Sequence, residues 1–193
     1  MLMTRDIIRS LADRDREPRE VLCEVNRQLL GTIRKGMFVT MLYGLLDTRT
    51  GETTFASAGH NPLIRIFGAT GETTLLHPPG FPLGLMQPRE FDARIGNERF
   101  TLGADDWLVQ FTDGVNEARD PNGIEYGMDR LLQSLAAKRH VSPGELIEDT
   151  LREHTEFVAG APQHDDITLI AMKWHGVASR AEREKEAEYA SAR

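Results

Sequence analysis

Three carboxylates in two short segments carry the chemistry open to this chain. In Gln110-Phe111-Thr112-Asp113-Gly114-Val115, an apolar run from Trp107 reads as a strand that ends at an acid followed by glycine. Further along, in His164-Asp165-Asp166-Ile167-Thr168-Leu169-Ile170, paired acids open a second apolar, β-branched run that again reads as a strand. An acid at the end of one strand and acids at the start of another can meet at one rim of a sheet. Carboxylates brought together repel each other, and a hard cation such as Mg²⁺ or Mn²⁺ resolves that repulsion through oxygen ligation. A simpler description also fits, in which Asp113-Gly114 is a turn and Asp165-Asp166 a polar strand edge. Spacing alone leaves both open.

Other polar residues carry paired readings too. His60, between Gly59 and Asn61, reads as a turn histidine bonded to backbone, or as a ligand or proton shuttle. His164 reads as solvent-facing or as a partner that orients Asp165. Asp105 and Asp106 look like hairpin-turn acids, and Glu117 and Arg119 like a solvated loop or the rim of a substrate groove. Met37, Met41, Met86, Met128 and Met172 read as core filler.

The elements that must position these acids follow from periodicity. Apolar residues at Ile7, Ile8 and Leu11 share one helical face with Met1, Leu2 and Met3. After Glu17-Pro18, Val21, Leu22, Val25, Leu29 and Ile33 recur at helical spacing, with Asn26 as a hydrogen-bonded core amide or a brace for a nearby loop. The middle reads as β: Met37 to Asp47 and Glu52 to Ala58 around Thr48-Arg49-Thr50-Gly51, then Leu63 to Phe67, Glu72 to His77, Phe91 to Ile95 and Arg99 to Leu102. Three prolines exclude regular structure over Pro78 to Leu85. Helices are expected from Met128 to Lys138 and from Pro143 to Val158, the second capped by Ser142, with a last strand from Ile167 to Trp174. Helices at both ends of a run of antiparallel strands indicate an α+β architecture.

Composition narrows the classes. The chain has 193 residues, enough for one domain with a sizeable core. Its formal charge of −7, with no basic cluster, argues against nucleic acid and anionic membrane as partners. The single cysteine, Cys23, falls on an apolar helical face and can form no internal disulfide. No run approaches the roughly 20 apolar residues that span a bilayer, so the expected location is the cytoplasm. From 176 to 193 the alternating charges without an apolar stripe read as a disordered tail, leaving 1–175 as the folded domain.

Five segments in order resemble a known family: Met37-Phe38-Val39-Thr40-Met41-Leu42-Tyr43-Gly44, Ser57-Ala58-Gly59-His60-Asn61-Pro62, Gly80-Phe81-Pro82-Leu83-Gly84-Leu85, Phe111-Thr112-Asp113-Gly114-Val115-Asn116-Glu117-Ala118-Arg119 and Asp165-Asp166-Ile167-Thr168-Leu169. Together they are similar to the SpoIIE-type (RsbU-like) serine phosphatases, a bacterial branch of the metal-dependent PPM phosphatases. The resemblance implies a four-layer αββα sandwich and hydrolysis of phosphoserine or phosphothreonine with two Mg²⁺ or Mn²⁺ ions. It implies Asp113 and Asp165 as metal-binding catalytic acids. Asp166 is held in reserve as a ligand, because alternation along a strand would send the two neighbours to opposite faces. The implied substrate is a phosphorylated anti-anti-sigma factor in a partner-switching pathway. The first two helices resemble the family's regulatory pair, which leaves homodimerisation or docking through them open.

One departure accompanies the resemblance. The family's other acidic ligands come from an upstream Gly-Asp segment and from an Asp-containing segment ending in Gly-His-Gly, and neither is in this sequence. The expectation is therefore an amino-terminally incomplete domain. A catalytically inactive pseudophosphatase or protein-binding module stands as the alternative function.

Overall fold

A computed structural model describes residues 2–12, 15–34 and 36–176; the side chains of Leu2 and Met3, and the charged tail expected beyond Gly176, lie outside the described residues. Two compact units emerge. One takes the described residues of Met1–Asp47, Glu52–Ile64 and Leu75–Thr101, the other those of Thr48–Gly51, Arg65–Thr74 and Leu102–Arg193.

In the first unit, α1 (Leu2–Leu11) and α2 (Pro18–Leu30) pack together, and α2 lies against an antiparallel sheet. Proline at the first turn starts α2 without a side-chain cap. Val21, Leu22, Val25 and Leu29 then bury completely, meeting Ala56 and Ala58 of β2 (Glu52–Ala58). β1 (Met41–Leu46) pairs with β2 from Met41↔Ala58 to Leu46↔Thr53, and β5 (Asn97–Thr101) flanks β2 on its other side. Asn26 fills both readings at once. Fully buried, it donates from Nδ2 to the Met86 carbonyl at 3.2 Å and accepts from the Gly84 amide at 2.8 Å, bracing the proline-rich loop.

Three expectations fail in this unit. Phe91 to Ile95 is not a strand: Pro88–Asp92 forms a short helix, α3, and the i, i+4 pair Phe91 and Ile95 points into the core. The first strand begins at Met41 rather than Met37, with Val39 held only by an isolated bridge to Leu83. Met37 is therefore not core filler; it stands 57% exposed beside the equally exposed Phe38.

The second sheet has the order β4-β3-β6-β7, with β3 (Leu63–Ile66), β4 (Thr73–Leu76), β6 (Asp106–Phe111) and β7 (Leu169–Trp174). β6 and β7 pair antiparallel from Asp106↔Trp174 to Phe111↔Leu169. β6 is buried almost throughout, as a central strand should be. A one-turn helix α4 (Asp113–Asn116) follows it, then α5 (Met128–Ala137) and α6 (Pro143–Val158), which packs on β7. α6 begins as its sequence announces: Ser142 accepts the Glu145 amide and the Glu145 carboxylate accepts the Ser142 amide, a reciprocal cap. These bonds hold the Glu145 carboxyl below its usual range.

Asp106 corrects another expectation. It is not a solvated turn acid but 3% exposed, paired with Arg65 through Nη2 at 2.6 Å and Nε at 3.1 Å. Its oxygens also accept the amides of Gly68 and Gly103, each at 2.9 Å. A buried carboxylate with one cation and two amides is fully engaged.

Candidate active site

The site is built where β6 leaves the sheet. Phe111 is the last ladder residue, and Thr112 is extended at φ −94°, ψ 157° before α4 begins at Asp113. Thr112 occupies the helix-capping position but makes no capping bond, because its hydroxyl is used elsewhere. Its Oγ1 donates to the Asp166 carbonyl at 2.8 Å and accepts the Thr168 amide at 2.8 Å, while the Thr112 amide donates to the Thr168 carbonyl at 3.1 Å. One residue thus ties the Asp113 segment to the Asp165-Asp166 segment.

Gly114 makes the second tie. Its φ is not positive, so the requirement is space rather than turn conformation. A Cβ there would lie 2.5 Å from the Asp166 carbonyl oxygen and 3.1 Å from that of Asp165. Any side chain would push the two acidic segments apart.

The carboxylates sit on these tied segments and all three are exposed. Asp113 opens α4 rather than ending a strand, and its Oδ1 accepts the Gly114 amide at 3.2 Å. Asp165 and Asp166 precede β7 instead of opening it, so strand alternation does not sort them onto opposite faces. Asp165 Oδ1 accepts the Asp166 amide at 2.7 Å, and the Asp165 carbonyl accepts Gln163 Nε2 at 2.8 Å. His164 is exposed; His60 lies in the first unit, its amide donating to Ser57 Oγ and its Nδ1 3.2 Å from Thr40 Oγ1.

His154 went unnoticed among the candidate residues. It is 3% exposed on α6, and its Nε2 lies 3.2 Å from the Val115 carbonyl, two residues past Asp113. A carbonyl only accepts, so Nε2 carries the proton. The signal was present in the sequence: Leu146, Thr150 and His154 recur every four residues and form the buried stripe of α6. Burial pushes the His154 pKa below 6.5, partly opposed by its bond to Val115. The unfolded chain therefore binds this proton more readily than the folded one. Stability should fall as pH drops below about 6.5, the ordinary histidine value, and level off below the folded-state pKa. In urea melts at stepped pH, His154→Phe should flatten that slope; an unchanged slope would assign it to other groups.

A model of the family described as "Stage II sporulation protein E (SpoIIE)" matches residues 1–175. The chain belongs to the SpoIIE family. The phosphoserine phosphatase RsbU of Bacillus subtilis is 28% identical over 173 residues, covering 90% of this chain and 50% of RsbU. Protein IcfG of Synechocystis is 29% identical over 136 residues, 70% of this chain and 20% of IcfG. The chain thus spans half or less of the curated relatives it matches. Among solved structures, the SiaA-PP2C domain of Pseudomonas aeruginosa superposes with a TM-score of 0.73 at 22% identity, covering 89% of this chain and 68% of that one. The SpoIIE family is one of PPM-type serine phosphatases, and the mixed fold with two antiparallel sheets matches its PP2C-type structural neighbours.

SpoIIE membership implies divalent metal, and the donors offered can be tested for it. They are exposed carboxylate oxygens, the chemistry that Mg²⁺ and Mn²⁺ prefer, and Mg²⁺ is commonly held by one or two carboxylates while keeping its waters. Among the described residues, no three His, Cys, Asp or Glu side chains meet as a group that can hold an ion. The donors fit a hydrated hard cation in kind and fall short of the family's two-ion shell in number.

Proposed function

We propose that this chain is the catalytic domain of a metal-dependent phosphoserine phosphatase, acting in the cytoplasm on a phosphorylated signalling protein of the anti-anti-sigma type. The observation that carries the reading is the double tie at Thr112 and Gly114, which brings the two acid-bearing segments of the family motif into contact. Asp113 and Asp165 would hold the cation, with Asp166 beside them. When bound, a divalent ion eases deprotonation of water and offsets charge on a phosphoryl group. The chain's own part is placement. Thr112 and Gly114 fix the spacing of the segments, and His154 anchors the turn that carries Asp113. No protein nucleophile is required.

A second reading has its own support in the absence of a three-carboxylate group among the described residues. In it the domain binds a phosphoprotein without hydrolysing it. Turnover of p-nitrophenyl phosphate and of a phosphoserine peptide, in Mn²⁺ and in EDTA, separates the two. Hydrolysis that appears with Mn²⁺ and vanishes with EDTA is the expected result. A cooperatively folded chain with no turnover in either condition would favour the binding module.

A further inference from the structure

The second unit contains a cavity of 570 Å³ whose wall includes Gly114 and Asp165. That is ample for one or two side chains, and its lining suits them. Ala118, Val158, Ala161 and Ile167 give it apolar walls, beside polar ones from Thr155 and Gln163 and charge from Glu117 and Arg119. The walls are fixed. α6 ends at Val158, Ala159 turns the chain at φ +48°, and the Ala161 amide donates back to the Val158 carbonyl at 2.8 Å. On the same helix, buried His154 holds the Val115 carbonyl, and Arg119 is paired with Glu125 at 2.9 Å.

We propose that this cavity is a recognition pocket for the protein substrate and takes an apolar side chain flanking the phosphoserine. The proposal rests on the phosphatase reading above. A phosphoserine whose phosphate meets the cation that Asp165 would hold has its neighbouring residues at the pocket, since Asp165 lines it and an extended chain advances only about 3.3 Å per residue. One or two residues from the phosphoserine, a side chain reaches the apolar walls. A free aryl phosphate carries no such neighbour and has no use for the pocket.

The test compares p-nitrophenyl phosphate with two phosphoserine peptides, one flanked by leucine and one by glycine. Unaltered protein should turn over the leucine peptide at least five times more efficiently in kcat/KM. Val158→Trp and Ala161→Trp, both at half-buried positions in the pocket wall, each fill it with an indole. Each variant that melts cooperatively should keep its p-nitrophenyl phosphate kinetics and lose at least tenfold on the leucine peptide, through KM. Equal efficiency on the two peptides, or filled variants as good as the parent, overturns the proposal. Fluorescence anisotropy of the labelled leucine peptide, read without metal, separates the two levels of inference. If no substrate is turned over, the phosphatase reading fails. Peptide binding that both tryptophans abolish then upholds the pocket, and no binding sinks it.

Discussion

Asp113→Asn should abolish Mn²⁺-dependent hydrolysis, by at least about 100-fold in kcat, while leaving the fold intact. The carboxamide is nearly isosteric and keeps an oxygen for the Gly114 amide. What it removes is the negative charge that a hard cation needs, and cation chemistry is worth several kcal/mol to phosphoryl transfer. Because Asp113 is exposed, the thermal midpoint should move by no more than about 2 °C. The same assay ranks the other two acids. Asp165→Asn should approach the Asp113 loss, whereas Asp166→Asn should cost less if Asp165 is the ligand. Full activity in Asp113→Asn would remove this carboxylate from the mechanism and the two-segment site with it.

The largest expected effect on stability lies at Asp106. Truncation to alanine leaves the Arg65 guanidinium, only 12% exposed, without its carboxylate, and strands the amides of Gly68 and Gly103. Breaking a buried ion pair on one side typically costs about 3–5 kcal/mol. Urea unfolding of Asp106→Ala should show a loss of that size with an unchanged slope. A double change to Asp106→Leu and Arg65→Met should recover part of it, because apolar residues of similar volume leave no buried charge behind. A loss below about 1 kcal/mol in the alanine variant would mean that water reaches Arg65 freely.

Much of this was legible in the sequence, for identifiable reasons. Glu52 to Ala58 came out residue for residue, its start fixed by the glycine-ended loop before it. The start of α6 followed from Ser142 and Pro143, whose capping chemistry is local. Failures came where the deciding partner is distant in the chain. Asp106 looked like a turn acid because Arg65, forty-one positions earlier, is invisible to local patterning. Phe91 to Ile95 resembled a strand by residue type, although Pro88 and the four-residue spacing of Phe91 and Ile95 already fitted a helix. The motif acids stood out as candidates, but their setting did not. Thr112 ends the ladder with its side chain, so both acidic segments leave the strands that were expected to hold them.

Both tryptophans, Trp107 near the start of the buried β6 and Trp174 at the end of β7, belong to the second unit. Lys173 lies over the Trp107 ring at 5.2 Å, and the indole of Trp174 closes on Gly51. Intrinsic emission is therefore a one-sided reporter. Red-shift and quenching will follow the unit that carries Asp113 and Asp165 and will be blind to the unit built on α1 and α2, whereas helical circular dichroism reads α1 and α2 together with α5 and α6. Transitions that coincide in the two signals would mark a single cooperative block. Transitions that separate would reveal an intermediate with one half melted, and would say which half.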